Sequence, residues 1–218
     1  MSLLESFLDP ARVSLKICGV RTRADAEKLV ALGVDALGVN FWPMSKRYLT
    51  PEDATWLRAL DGKILRVGVF VNETSALPVR LVRDGFLDVV QLHGDEEPED
   101  AEVFRAGEIP FFKAIGVKTL ADLARAPEFQ AAAILLDAHA PGIYGGTGEV
   151  FDWEVASDFR RRNPTLPVLL AGGITPENAG LAAMSVQPAA LDIASGAETS
   201  PGIKDFGKIS AFLKALHR

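Results

Sequence analysis

The sequence predicts a single α/β domain, a (β/α)8 barrel in which eight parallel strands close into a ring covered by helices. Three observations predict it. Short apolar runs alternate with amphipathic stretches about eight times over about 200 residues. The runs are continuously apolar rather than alternating, as strands buried on both faces require. The first run ends in Cys18-Gly19-Val20, without the GxGxxG turn that an open doubly wound sheet carries after its first strand.

The predicted strands lie at 14–18 (SLKIC), 36–41, 64–70, 88–92, 110–115, 132–137, 167–171 and 189–194. Helical patterns occupy 23–32, 51–60, 74–84, 97–106, 176–184 and 205–216. Thr50-Pro51-Glu52 and Thr175-Pro176-Glu177 each set a cap residue ahead of a proline at the first helical position. Residues 1–13 read as an extension, and 14–218 as the barrel. No low-complexity segment or Pro/Gly/Ser linker divides the chain.

Composition narrows the function classes. The chain has 218 residues, 48% of them hydrophobic, enough to bury a core without disulfides or a structural metal. Its net charge is −6 with no basic run, which argues against nucleic acid as a partner. A single cysteine permits no intrachain disulfide, so a reducing compartment is expected. The N-terminus lacks a signal-peptide pattern, and no apolar run approaches the ~20 residues of a membrane span. A cytoplasmic protein without membrane partners is the expectation. Composition does not separate a monomer from a homodimer.

In this fold, chemistry sits at the C-terminal ends of the strands. Cys18 ends the first strand. Free cysteine is usually a small buried hydrophobe, but Lys16 shares its side of the strand, and an ammonium there would favour the thiolate. Asp137 ends the sixth strand and reads as either a loop cap or a general acid–base. The loop after it is rich in glycine, including Gly145 and Gly146. Gly172-Gly173 follows strand seven and Ser195-Gly196 follows strand eight, where backbone N–H groups of this fold cradle phosphate. Arg47, after strand two, is either a solvated surface arginine or, with a fork that suits a carboxylate, a ligand contact. His93, after strand four, is either a ligand contact or a loop tie. The three histidines, His93, His139 and His217, form no metal pattern, so no metal site is expected.

The ordered set of motifs resembles the phosphoribosylanthranilate isomerase family of tryptophan biosynthesis. It comprises Lys16-Ile17-Cys18-Gly19, Ser45-Lys46-Arg47-Tyr48, Val67 to Asn72, Gln91-Leu92-His93-Gly94-Asp95-Glu96 and Leu135-Leu136-Asp137-Ala138. It continues through Tyr144 to Gly148, Phe151-Asp152-Trp153, Leu170 to Asn178, Ser195 to Glu198 and Pro201 to Asp205. The resemblance implies a TIM barrel of the ribulose-phosphate-binding type and an Amadori rearrangement without a cofactor. It makes the residue matching Cys18 the general base and that matching Asp137 the general acid, with Arg47 on the anthranilate carboxylate. His93, Gly145, Gly146, Gly172, Gly173, Asp192, Ser195 and Gly196 complete the expected substrate-binding set. An acid at Asp137 must hold a proton when it acts, which predicts an apolar or charge-crowded setting.

Two positions depart from the family pattern. Lys46 replaces the usual proline before the loop-two arginine, and Ala194 stands where a polar side chain is common. Rival readings are the histidine-pathway aminoaldose isomerase, whose strand-one residue is an aspartate, and a barrel that binds a sugar phosphate without turning it over. Pure binding does not need an acid and a base.

Overall fold

The computed structural model describes residues 1–138 and 152–216. Eight parallel strands close into a barrel in chain order. They are β1 (Ser14–Cys18), β2 (Ala36–Asn40), β3 (Leu65–Phe70), β4 (Val89–Leu92), β5 (Phe111–Val117), β6 (Ala133–Ala138), β7 (Val168–Leu170) and β8 (Ala190–Ile193). Each coincides with a predicted run to within two residues at either end. The ring closes by β1 against β8, with Lys16 opposite Asp192.

The helices are α1 (Leu3–Phe7), α2 (Arg23–Leu32), α3 (Ala76–Arg83), α4 (Glu102–Ala106), α5 (Trp153–Arg162), α6 (Ala179–Val186) and α7 (Phe206–Ala215). Three expectations need correction. Thr50 does cap, its Oγ1 accepting from the Asp53 N–H at 3.1 Å, but it closes a turn that continues as a 3₁₀ segment, Thr55–Leu60. At the second Thr-Pro-Glu site, Asn178 ties the loop by accepting from the Thr175 N–H and donating to the Gly173 carbonyl, so α6 starts only at Ala179. The pattern at 97–106 yields helix only from Glu102 onward. Helices α1 and α5 and the hairpin of β9 (Glu198–Ser200) and β10 (Ile203–Lys204) were not predicted.

The barrel interior is graded. Alternate residues of each strand face inward. Near the floor these are apolar: Ala36, Leu65, Val67, Val89, Phe112, Ala133, Leu169 and Ala190 share one buried cluster. One or two inward positions higher stand Lys16, Gln91, Asp137 and Asp192, all buried. The larger apolar cluster lies between strands and helices, so the polar groups sit inside a dry, stiff wall.

Helix α1 closes the floor. Its capping box, with the Ser2 hydroxyl accepting from the Glu5 N–H and the Glu5 carboxylate from the Ser2 N–H, starts the short helix. Phe7, 1% exposed, then enters the inner cluster and stacks on Phe112 with centroids 6.0 Å apart. Arg12 locks the segment by donating to Asp35 at 2.8 Å and to the Ser6 carbonyl at 3.0 Å. Phe7→Ala is expected to cost about 3 kcal/mol, the low end for a buried phenyl because a terminal helix can resettle. Urea unfolding checks this; an unchanged midpoint would mean that the floor is closed without Phe7.

Candidate active site

The strands bring most of the expected residues to one cleft at the barrel mouth. Cys18, Arg47, His93, Asp137, Gly172, Gly173, Asp192, Ser195 and Gly196 all border this cavity of about 270 Å³. Trp42, Met44, Val69 and Val71 supply an apolar side. Gly145 and Gly146, like His139 and His217, lie outside the described residues. Among the described residues no cluster of His, Cys, Asp and Glu is placed to hold a metal ion.

Cys18 ends β1 opposite Gly38 of β2. A Cβ at position 38 would lie 2.8 Å from the Cys18 Sγ and 3.2 Å from the Lys16 Nζ, so glycine makes the room that both need. The Lys16 ammonium is fully buried and donates to Asp192 Oδ1 at 2.9 Å and Gln91 Oε1 at 3.0 Å. Burial by itself would lower its pKa. The charges of Asp192 and then Cys18 outweigh that, and Lys16 stands above its ordinary value as a charged ammonium.

The effect foreseen from Lys16 on Cys18 is present in direction but does not prevail. Burial pushes the Cys18 thiol up, Lys16 draws it partly back, and Asp192 pushes it up again; the net shift is upward. Lys16 acts on the thiol more strongly than Asp192 does. Removing both charges in Lys16→Met/Asp192→Asn therefore leaves no lone buried ion and is expected to move thiol alkylation to higher pH. Cys18 is the chain's only cysteine, so the labelling rate reports it alone. Superimposable rate profiles would show that Lys16 does not tune the thiol.

Asp137, the last residue but one of β6, lies opposite Gly116, which brings no side chain against it. It is buried, its Oδ1 accepts from the Ala138 N–H at 2.9 Å, and its Oδ2 lies 3.5 Å from the His93 Nε2. Gly172 leaves the space beside it open: a Cβ there would lie 3.1 Å from the Asp137 Oδ1. His93 is held from behind: its backbone N–H donates to the Phe70 carbonyl at 2.8 Å, and its ring Nδ1 meets the Gln91 Nε2 at 2.7 Å.

Arg47 is not a free surface arginine. Its Nε and Nη2 donate to the Glu198 carboxylate at 2.7–3.1 Å, and Glu198 also accepts from Lys204 Nζ at 2.7 Å. Lys204 in turn donates to the Cys18 carbonyl at 2.5 Å, which ties the hairpin to β1. Burial would raise the Glu198 pKa, but Arg47 and Lys204 reverse this and hold it below the carboxylate range. Burial lowers that of Lys204, and Glu198 only partly restores it. The triad keeps one net positive charge and leaves the Arg47 Nη1 without a partner among the described residues. Among the described residues nothing competes for that nitrogen, and a guanidinium N–H of this kind suits a carboxylate.

At the far side, the backbone N–H groups of Gly172, Gly173, Ser195 and Gly196 find no acceptor among the described residues. Gly196 admits no side chain, since a Cβ would lie 2.1 Å from the Ile174 carbonyl oxygen. Backbone N–H groups without an acceptor among the described residues, at the ends of two neighbouring strands, can accommodate an anion. Ala194, which has no side-chain donor, borders the same cleft, and the exposed Lys46 lines it beside Arg47.

Three members escaped sequence reasoning as site residues: Gln91, Glu198 and Lys204. All three lie within the quoted motifs, but nothing local marks them. Glu198 meets a partner 151 positions away, and Gln91 one 75 away.

Residues 15–215 match the family model described as N-(5′-phosphoribosyl)anthranilate isomerase. The chain is 42% identical over 205 residues, 94% of this chain and 87% of the relative, to the N-(5′-phosphoribosyl)anthranilate isomerase of Syntrophus aciditrophicus. It is 40% identical to that of Geobacter sulfurreducens over 93% of this chain and 97% of the relative. Among solved structures it resembles phosphoribosyl anthranilate isomerase from Thermotoga maritima, with TM-score 0.85 and 39% identity, covering 94% and 98% of the two chains. It also resembles such an enzyme in complex with reduced 1-(o-carboxyphenylamino)-1-deoxyribulose 5-phosphate, with TM-score 0.82 and 38% identity, covering 94% and 98%.

Proposed function

The chain belongs to the N-(5′-phosphoribosyl)anthranilate isomerase family, and from that premise we propose that Cys18 is the base, Asp137 the acid and Arg47 the carboxylate anchor of its reaction. The reaction is the Amadori rearrangement of N-(5′-phosphoribosyl)anthranilate to the 1-deoxyribulose 5-phosphate product, a step of tryptophan biosynthesis. The observation that carries the assignment is a thiol and a buried carboxyl bordering one cleft, with a guanidinium nitrogen and a row of backbone N–H groups that have no partner among the described residues.

The substrate matches that layout group by group. Its phosphate suits the cradle of Gly172, Gly173, Ser195 and Gly196, where N–H groups take the place of the side-chain donor that Ala194 lacks. Its carboxylate suits the Arg47 Nη1, pre-aimed by Glu198, so the orientation of Arg47 does not depend on a proline at position 46. The aromatic ring suits the wall of Trp42 and Met44. Anchoring both ends fixes the ribose between Cys18 and Asp137 and lowers the entropic cost of reaction.

Chemistry then follows from the two groups. Asp137 gives its proton to the furanose ring oxygen, and the ring C–O bond breaks to leave an iminium. The iminium acidifies the C2′ proton, which the Cys18 thiolate removes, and the resulting enolamine tautomerises to the ketone. Because burial raises the Cys18 pKa, the thiolate is a minor form at neutral pH but a strong base once formed.

The base is a free thiol, which suits a reducing compartment, and the cytoplasm is the proposed location. Among the described residues no helix is long and apolar enough to cross a membrane. The test generates the substrate in situ and follows loss of its fluorescence. Rapid loss with the chain present is expected. No turnover while substrate still quenches the fluorescence of Trp42 would favour a non-catalytic binding barrel.

A further inference from the structure

We infer that Gln91, held in one orientation by the Lys16 ammonium, keeps the proton of the His93 ring on Nε2, where it faces Asp137. This makes Gln91 and Lys16 positioning residues for the acid and deepens the role proposed above for Asp137.

The argument runs along one row of contacts across the barrel mouth. Lys16 Nζ carries only donors and is fully buried. It lies 3.0 Å from the side-chain oxygen of Gln91. Turning the amide over would set its NH2 group against the ammonium, so the carbonyl must face Lys16. The amide nitrogen then points the other way, at 2.7 Å from the His93 Nδ1. A donor there needs Nδ1 to accept, which leaves the single proton of the neutral ring on Nε2. Asp192 completes the row by holding Lys16 from the other side at 2.9 Å.

The placement of that proton matters because Nε2 stands 3.5 Å from the Asp137 Oδ2. This is longer than a hydrogen bond and of the kind that shortens when substrate closes the site. Imidazole is a stronger base than a carboxylate. A bare Nε2 beside Asp137 would take the proton that the acid needs. An Nε2–H cannot take it, and instead donates to the carboxylate left after the proton has gone to the ring oxygen. The tautomer thus protects the acid before transfer and stabilises its anion afterwards.

Nitrogen-15 NMR of the imidazole rings reads the tautomer without any activity measurement. Comparison with His93→Gln assigns the His93 signals against those of His139 and His217. In wild type the Nε2 is expected protonated and Nδ1 bare. Gln91→Glu keeps the pairing with Lys16 but presents only acceptors to Nδ1, and is expected to move the proton to Nδ1. Its kcat is expected to fall about tenfold or more, the scale on which outer partners of a catalytic imidazole act, with KM nearly unchanged. In a His93→Gln background, where a side-chain amide replaces the ring, Gln91→Glu is expected to cost little more. A wild-type proton on Nδ1 overturns the inference, and this reading survives even if the variant fails to fold. A shifted proton with kcat intact also overturns it; retained activity in Asp137→Asn would then trace the failure to the acid assignment itself.

Discussion

Asp137→Asn is expected to lower kcat by about 10²- to 10⁴-fold, the usual worth of a positioned general acid. Asparagine fills the same volume, and its carbonyl can still accept the Ala138 N–H that Asp137 Oδ1 takes at 2.9 Å. It has no acidic proton to give to the furanose oxygen, so ring opening loses its catalyst while binding does not. KM is therefore expected to change little, because the proposed holders of the carboxylate and phosphate ends are Arg47 and the backbone N–H groups rather than Asp137. The unfolding midpoint should stay near that of wild type. Steady-state kinetics on the in-situ substrate, with a thermal melt of the same samples, check all three. A variant as active as wild type would move the acid role to another group at the mouth, with His93 the nearest.

Glu198→Gln is expected to destabilise the fold by about 3 kcal/mol and to raise KM. Glu198 is buried between two cations, its side chain 3% exposed, with Lys204 on one oxygen and the Arg47 fork on both. Removing one partner of a buried ion network leaves the others uncompensated, at a cost of about 3–5 kcal/mol. The lower figure applies because glutamine keeps one acceptor oxygen. Arg47 loses its bidentate hold, so the guanidinium no longer arrives pre-aimed at the substrate carboxylate, and that loss falls on KM rather than on kcat.

Acid unfolding separates the charge effect from the shape effect. The folded pKa of Glu198 is depressed by Arg47 and Lys204 despite burial. Its contribution to stability is thus present above the unfolded carboxylate value, about 4.3, and is lost as pH falls through the lower folded value. Wild type should lose stability across that acidic window, and Glu198→Gln should lose less of it. Parallel curves for the two proteins would show that Glu198 carries no net electrostatic stabilisation.

These two residues mark where local sequence stops being informative. Asp137 was legible because it closes the apolar run AAILLD, and strand ends in this architecture face the mouth. Cys18, His93 and the Gly172-Gly173 turn were legible for the same reason. Glu198 opens the short strand β9, which has no periodicity to mark it, and its meaning depends on Arg47, 151 positions earlier in the chain. Helix limits were also poorly legible. At Thr50 and Thr175 the cap signals are real, but neighbouring side chains decide how many turn residues come before the helix. Helix α1 escaped because five residues make too short a pattern, and its stability comes from Phe7 entering the barrel floor.

The sequence by itself determined the ring of eight strands, because continuous apolar runs separated by amphipathic stretches can bury both strand faces only under a shell of helices. It also made Cys18 and Asp137 candidates, because strand ends are where such runs stop and polar groups begin. Only the tertiary structure decided how those groups are tuned. Closure of β1 on β8 sets Lys16 opposite Asp192, and the dry interior makes every charge there need a partner. Lys16 thereby becomes the link from Cys18 to Gln91 and His93, and the thiol ends above its ordinary pKa rather than below it. Interactions between residues far apart in sequence, strengthened by the low dielectric of a packed barrel, carry that information.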